Sequence, residues 1–495
     1  MKDLKEIRLS AAELQSACET LLQEGGRMQM AWAWFPTALE IEVCYLAAQG
    51  ARRPFLLWRC SAAQRTLPSL ARIAPLLGWY EREITDLCGV TFTGHPEPYP
   101  LVLHEGARPV KPPLEPAYHG DSMMRFERQP TRIPEVAGEA IQELPFGPVR
   151  AGVMESAQFL FFYLGEHILH YQPRLFFKHR GMEKRFEGLD PMLGVVLAER
   201  VSGVGSFAHA LAYCQAVESA CDCVIPARAE WLRTLLAEFE RLYNHLHYFG
   251  HLADTTTLKV GHAEGVLLEE RVKQINARLC GSRFLRNLLQ PGGLRRDINL
   301  YTGLADELRK LEHDIQRYLH ELSRTTSYLD RLITTGVLSR ATAFDQGATG
   351  PVERASGLDR DLRRDHPYAA YATLEFEVPL RDKGDANARA EVRAAEIETS
   401  LALISRLLVN IPAGAVSAAC QTVPNGEGLG WCEAPRGALY YAVHLDATGK
   451  LRRVKIKSPS FSNWRVFPYT VHDSNMMDYA INEASFGLTI AGCDR

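Results

Sequence analysis

Cysteine is the residue type best suited to redox and metal chemistry, and this 495-residue chain carries eleven of them, scattered and without one Cys-x-x-Cys. A disulfide framework needs paired spacing and an oxidising compartment, whereas isolated thiols suit a reduced, cytosolic one. Cys221-Asp222-Cys223 is the one close pair. Its spacing is not that of a zinc knuckle, so it predicts two buried thiols near a helix start. Imidazoles cluster at His245, His247 and His251, the last two on one helix face. No His-Glu-x-x-His accompanies them and no carboxylate is placed to complete a zinc site, so no metal is expected there. Neither a Gly-x-Gly-x-x-Gly after a strand nor a Gly-x4-Gly-Lys-Ser/Thr occurs. Nucleotide chemistry would have to belong to another chain.

The elements that must position such residues fall into about three units by length alone. The formal charge is −3, from 56 basic and 59 acidic residues, too weak a field to recruit nucleic acid. The opening Met1–Ser10 has no apolar core and predicts no secretory signal. The longest apolar stretch, 401–420, is broken by Arg406, Asn410 and Pro412, where a membrane span needs about 20 apolar residues. At a membrane, this chain would sit on the surface and a partner would supply the anchor.

Residues 1–105 read as a first unit, with a helical opening and strand-like runs at 28–35 and 39–48. Prolines and charges crowd 106–139, which opposes both helix and central strand and predicts a linker. From 140 to 495 helices dominate. Over 228–253, Leu232, Leu235, Leu236, Phe239, Leu242, Leu246 and Phe249 form one apolar face. Further helices are expected at 264–289, stopped by Pro291-Gly292-Gly293, at 304–332 and at 387–409. A hairpin is expected over 438–445 and 451–456, turning at Ala447-Thr448-Gly449. The predicted fold class is α+β: an N-terminal α/β docking domain, then a mainly helical domain with small β-sheet regions.

Trp79, Glu81, Arg82, Glu83, Asp86, Gly89, Phe92 and Gly94-His95-Pro96 predict a charged helical turn, a glycine-permitted bend and a short strand. In that order they resemble the signature of the 30-kDa subunit of complex I, which implies a docking module without a cofactor. From about 145 onward the chain resembles the 49-kDa subunit of complex I and the related large subunit of nickel–iron hydrogenases. The passages that carry this are Gly147–Gly152 with Glu155 and Phe159, and His179-Arg180-Gly181-Met182-Glu183-Lys184. Others are Glu238-x-Glu240-Arg241-x-x-Asn244-His245-Leu246, the expected helix end at 286–293, and Glu433-Ala434-Pro435-Arg436-Gly437. Asp382–Arg393 and Arg360–Tyr368 read by themselves as a capped helix start and a solvated charged face; the resemblance puts both beside the ligand site. The fused order is similar to the large subunits of formate-hydrogenlyase-type and hydrogenase-4-type complexes.

In the hydrogenases, two Cys-x-x-Cys pairs supply four thiolates, soft ligands suited to nickel and iron. By the resemblance, the first pair falls on Ser202 and Gly205, inside a frame of Arg200, Gly203 and His209. The last metal cysteine falls on Gly492, with Cys493 one place along. The implied scaffold therefore has no nickel site. The histidine and tyrosine that bind quinone in the 49-kDa subunit fall on Gln158 and Gly203; glutamine can hydrogen-bond a carbonyl but cannot donate a proton as histidine does. The catalytic candidates carried over are Glu155, near the hydrogenase proton relay, Arg436, overhanging the cavity, and His209, one helical turn beyond the loop. Their structural alternatives are a carboxylate pair for Arg436 and a core position for His209. The implied partners are an iron–sulfur small subunit with a 4Fe–4S cluster, a ferredoxin-like subunit and antiporter-like membrane subunits, on the cytoplasmic side of the inner membrane. This chain itself is expected to hold no cofactor, a quinone being its candidate ligand. The expected function is electron transfer from the partner's cluster to a quinone or another small acceptor, coupled to ion translocation. A non-catalytic coupling role is the alternative, and an active hydrogenase comes third.

Overall fold

Aliphatic and aromatic side chains on both faces make the run Glu42–Ala48 a central strand, and every one of its residues is buried. In the computed structural model it is the third strand (β3) of a four-stranded sheet with β1 (Leu4–Arg8), β2 (Arg27–Trp34) and β4 (Phe55–Ser61), in the order β1-β4-β3-β2. β1 runs parallel to β4 and the other pairs are antiparallel. The structure describes residues 4–37, 39–108, 111–116, 118, 125–126, 136, 138, 140–150 and 155–495. Most of the expected linker, with Ala151 and Gly152, lies outside them. Helices α1 (Leu14–Gln23) and α2 (Gly78–Cys88) complete the first unit. As the Trp79–Pro96 motif predicts, α2 stops at Gly89 in the left-handed region, and a short strand follows at Thr91–Thr93. The motif's acids wire this region: Glu81 accepts from Ser69 Oγ and Leu70 N, and Asp86 accepts from the amides of Leu101 and Val102.

The second unit opens on an antiparallel sheet of β5 (Gln142–Phe146), β6 (Gln158–Leu164) and β7 (His167–Arg174), in the order β7-β6-β5. Helices α3 (Ser206–Ala220), α4 (Ala227–Thr255), α5 (Lys259–Cys280), α6 (Leu304–Arg324), α7 (Thr326–Leu332) and α8 (Ala386–Val409) follow. A last sheet, β8 (Glu427–Ala434), β9 (Gly437–Leu445) and β10 (Leu451–Lys457), contains the expected hairpin. α4 and α8 match their expected spans closely, and Asp385 caps α8 by accepting from Ala388 N at 2.8 Å.

Four expectations need correction. The helix expected to reach 289 ends at Cys280, because Gly281 takes the left-handed conformation there (φ 77°); residues 289–294 form a two-residue hairpin instead. The expected helix over 304–332 is two, parted where Thr325 turns extended. Cys221 and Cys223 lie just before the start of α4 as expected, but only Cys221 is buried: Cys223 is half-buried, and both thiols interact with Cys420. Within 360–368, Arg363 and Asp361 are buried and paired at 2.8 Å, so this is no solvated face.

The two units share one hydrophobic core. The first docks on the β8–β10 sheet: Trp32 Nε1 meets His444 Nε2 at 3.2 Å, the Trp34 ring stacks on His444, and Glu83 binds both Lys455 and Arg495.

Candidate functional site

Between Ala198 and α3 the chain must turn sharply, and the small residues of 202–206 let it do so. Ser202 is extended, and Gly203–Gly205 make a single 3-10 turn that feeds α3. α4 holds this turn from behind. Glu240 caps α3 by accepting from the amides of Phe207 and Ala208, each at 2.8 Å. Burial pushes its carboxyl up to about 7. One turn along α4, Asn244 donates to Val204 O at 2.9 Å, while Arg286 reaches Gly203 O and Ser206 Oγ.

Facing this turn is the short helix Ile490–Asp494, capped by Thr489, whose hydroxyl accepts from Gly492 N at 3.2 Å. A Cβ at Gly492 would lie 2.5 Å from Thr489 Oγ1 and 3.4 Å from both Ser202 Oγ and Ser460 Oγ. The two loops singled out in the sequence therefore meet, and three hydroxyls converge where they do. Arg180 staples them: its guanidinium donates to the carbonyls of Arg200, Val201 and Ala491 at 2.9, 2.6 and 3.0 Å. The neighbouring His179 Nδ1 lies 2.7 Å from Asp494 O, and Lys178 N donates to the Asp494 carboxylate. Burial pushes that carboxyl up to about 7.

Glu155 stands beside the second loop and is fully engaged. Its two oxygens accept from Ile490 N at 2.6 Å and Ala491 N at 2.9 Å. Arg436 is half-buried, donating to Gly487 O at 2.7 Å and to Asn244 Oδ1 at 2.5 Å. Among the described residues it has an amide and a carbonyl as partners rather than a carboxylate. Burial, with Arg393 nearby, pushes its guanidinium down to about 10. His209 is a core histidine in hydrogen-bond range of Tyr441 OH at 2.9 Å, and burial pushes it down to about 3, so it is neutral at physiological pH. It borders the loop, since a Cβ at Gly205 would lie 3.7 Å from its ring.

Two expected members stand apart in chemistry. Gln158 begins β6 with its carbonyl taken by Arg174 at 3.1 Å, while the next residue, Phe159, points to the opposite face and stacks on Trp464. Cys493 is fully buried, and burial raises its thiol well above the ordinary range, so it is protonated. His245 and His247 pair with Glu396 and Glu269, and no group of three or more metal-ligating side chains suited to an ion occurs among the described residues. Sequence reasoning missed Ser460, Thr489, Glu240 and the stapling role of Arg180. Of these, Ser460 left no readable signal, whereas the Thr489-x-x-Gly492 spacing, the His179-Arg180-Gly181 motif and the Glu238-x-Glu240-Arg241 motif did.

An N-terminal α/β unit joined to a helical scaffold, with two loops meeting at the start of α3, is the arrangement that the resemblance to the large subunits of complex I and the nickel–iron hydrogenases leads one to expect. Comparison with known proteins agrees. Residues 7–122 match the family model of the 30 Kd subunit of respiratory-chain NADH dehydrogenase, 265–423 and 416–495 that of its 49 Kd subunit, and 180–263 that of nickel-dependent hydrogenase. Formate hydrogenlyase subunit 5 of Escherichia coli (strain K12) is 32% identical over 433 residues, covering 83% of this chain and 74% of that one. Hydrogenase-4 component G of the same organism is 30% identical over 448 residues, 88% and 77% of the two chains. A chain from the structure of the membrane-bound sulfane sulfur reductase, an archaeal respiratory membrane complex, superposes with a TM-score of 0.69 at 27% identity, over 73% of this chain and 100% of that one. The chain belongs to the family of fused 30-kDa/49-kDa subunits of complex I-like and group 4 hydrogenase-like complexes. No helix among the described residues is long and apolar enough to cross a membrane.

Proposed function

We propose that the chain is the large subunit of a membrane-bound, ion-translocating oxidoreductase complex that passes electrons from a partner's 4Fe–4S cluster to a quinone or another small acceptor, without nickel. The observation that carries this reading is the convergence of the Ser202, Ser460 and Thr489 hydroxyls on Gly492. A nickel–iron group needs soft thiolates, and neutral hydroxyls are hard, weak donors. Gly205 offers no donor, and Cys493 is buried and protonated. The residues present do not fit a nickel–iron group, so no step runs through one. Hydroxyls and the Arg436 guanidinium do suit a ligand that presents carbonyl oxygens. Quinone reduction also consumes protons, and Asp494, pushed up to about 7, titrates in the range where proton exchange is useful. The iron–sulfur small subunit, ferredoxin-like subunit and antiporter-like subunits belong to this reading, as does the cytoplasmic face of the membrane.

Two measurements on the purified complex test it. Elemental analysis is expected to find no stoichiometric nickel. Added quinone is expected to reoxidise the reduced 4Fe–4S cluster, and Arg436→Ala to slow that step at least tenfold. Unchanged reoxidation in Arg436→Ala would move the reaction elsewhere. A second reading, a non-catalytic coupling role, is favoured by Glu155, whose two oxygens are both spent on backbone amides. It requires that no quinone be reduced on this chain at all.

A further inference from the structure

A cavity of about 510 Å³ opens between the first unit and the second, and none of Ser202, Ser460, Thr489 and Gly492 lines it. β2 and the end of β3 wall it on one side, and residues 346–366 with parts of β9 and β10 on the other. Five carboxylates and five Lys or Arg side chains line it, but the equal numbers hide an imbalance. Glu353 is paired with Arg27 at 3.1 Å, and Asp359 and Asp365 share Arg364 at 2.7 and 2.8 Å. Asp361 and Glu433 are held by Arg363 and Arg354, at 2.8 and 3.0 Å, and neither arginine lines the cavity. Every lining carboxylate thus has its cation. Arg360, Lys457 and Arg465 remain, with no carboxylate in ion-pair range among the described residues.

Lys457 is the most telling of the three. It is 3% exposed, burial pushes its amine down to about 7, and it donates to one backbone carbonyl, that of Ala438, at 3.0 Å. A buried ammonium without a counter-ion is costly, and a bound anion would relieve that cost. Arg465 donates twice to Gln346 Oε1, a neutral acceptor. Arg360 has no side-chain hydrogen bond among the described residues. Two planar forks and one compact cation around one space is the arrangement that holds clustered anionic oxygens. The volume lies within the range of small-molecule pockets and exceeds the needs of a bare oxyanion. Tyr440 and Phe461 supply walls for a carbon body.

We infer that this interdomain cavity binds a small organic anion with clustered anionic oxygens, a phosphate ester or a polycarboxylate, through Arg360, Lys457 and Arg465. Because its walls come from both units, the ligand ties the docking unit to the scaffold. This inference is independent of the reaction proposed at the two loops.

The test uses the full-length chain, titrated with inorganic pyrophosphate and, separately, with citrate, by calorimetry and thermal unfolding. Saturable binding and a raised Tm are expected for at least one probe. Lys457→Met is expected to weaken binding at least tenfold, while its ligand-free Tm stays equal or rises, because an unpaired buried charge has gone. That combination separates lost binding from lost folding. Arg360→Gln, nearer solvent, is expected to weaken binding in the same way. Preference for pyrophosphate assigns a phosphate ester, and preference for citrate a polycarboxylate. Absence of saturable binding by either probe, or binding that both variants leave unchanged, overturns the inference.

Discussion

Glu155 shows how a side chain carried over by a resemblance can also be engaged by its local backbone. A proton relay needs a carboxyl free to rotate and exchange, whereas both oxygens here accept backbone amides of the Ile490–Ala491 turn. These two bonds fix the Ile490–Ala491 turn. In Glu155→Gln one acceptor becomes an N–H group facing an N–H donor, so one bond is lost and a buried amide is left unpaired. Such a loss costs about 1–3 kcal/mol. Hydrogen exchange at Ile490 and Ala491 is expected to accelerate, and denaturant titration to show the cost. Slowed turnover with unchanged exchange at those amides would restore the relay. The sequence made Glu155, Arg436 and His209 visible as candidates because motifs surround them. It could not reveal their hydrogen bonds, because those partners lie on segments distant in the chain.

At the scale of elements, α3 is the part that positions the site. It is rich in alanine and nearly all buried, because it lies with its backbone directly on β8. A Cβ at Gly430 would fall 2.1 Å from Ala212 O, and one at Gly428 2.0 Å from Ala216 O. Neither contact can be relieved by a side-chain rotation. Gly430→Ala is therefore expected to cost about 3 kcal/mol, the upper end for overpacking, and to displace the Ser202–Gly205 turn. Denaturant unfolding measures the first effect, and loss of quinone-dependent cluster reoxidation the second. A neutral outcome would mean that α3 and β8 are not in backbone contact. Helices with one apolar stripe, α4 and α8, are readable from residue spacing, and so is the β9–β10 hairpin. α3 has no such stripe, since it is buried all round. The end of α5 escapes prediction because Gly281, a lone glycine, stops it before the more conspicuous Pro291-Gly292-Gly293.

For the whole molecule, the bond between the two units rests on a buried ion cluster that composition and periodicity alone do not disclose. Glu83 of the docking unit holds Lys455 at 2.6 Å and Arg495 at 2.7 Å. Glu183, from the His179–Lys184 motif, holds Arg453 at 2.7 Å, Lys455 at 3.2 Å and Arg495 at 3.3 Å. Burial alone would raise the Glu183 carboxyl, but Lys455, Arg453 and Arg495 outweigh it and keep it well below the carboxylate range. A carboxyl depressed in the folded state binds fewer protons there than in the unfolded chain. Its stabilisation is complete above the ordinary value of 4.5 and is lost as pH falls toward the lower folded value. Other groups move oppositely: burial raises Glu81, Glu240 and Glu433 to about 7, so each favours the fold as pH falls from 7 toward 4.5. The total pH profile mixes these signs, and only a difference between variants isolates Glu183. At pH 7, Glu183→Gln is expected to destabilise by about 3–5 kcal/mol, the cost of leaving buried cations without their partner. Below pH 4.5 the gap between variant and wild type is expected to narrow steadily, because the unfolded wild-type chain then takes up a proton at Glu183 that the folded carboxylate does not. Denaturant unfolding of both proteins from pH 7 to pH 3 measures that gap. A gap that stays constant across the range would mean that Glu183 is not the ionised centre joining docking unit to scaffold.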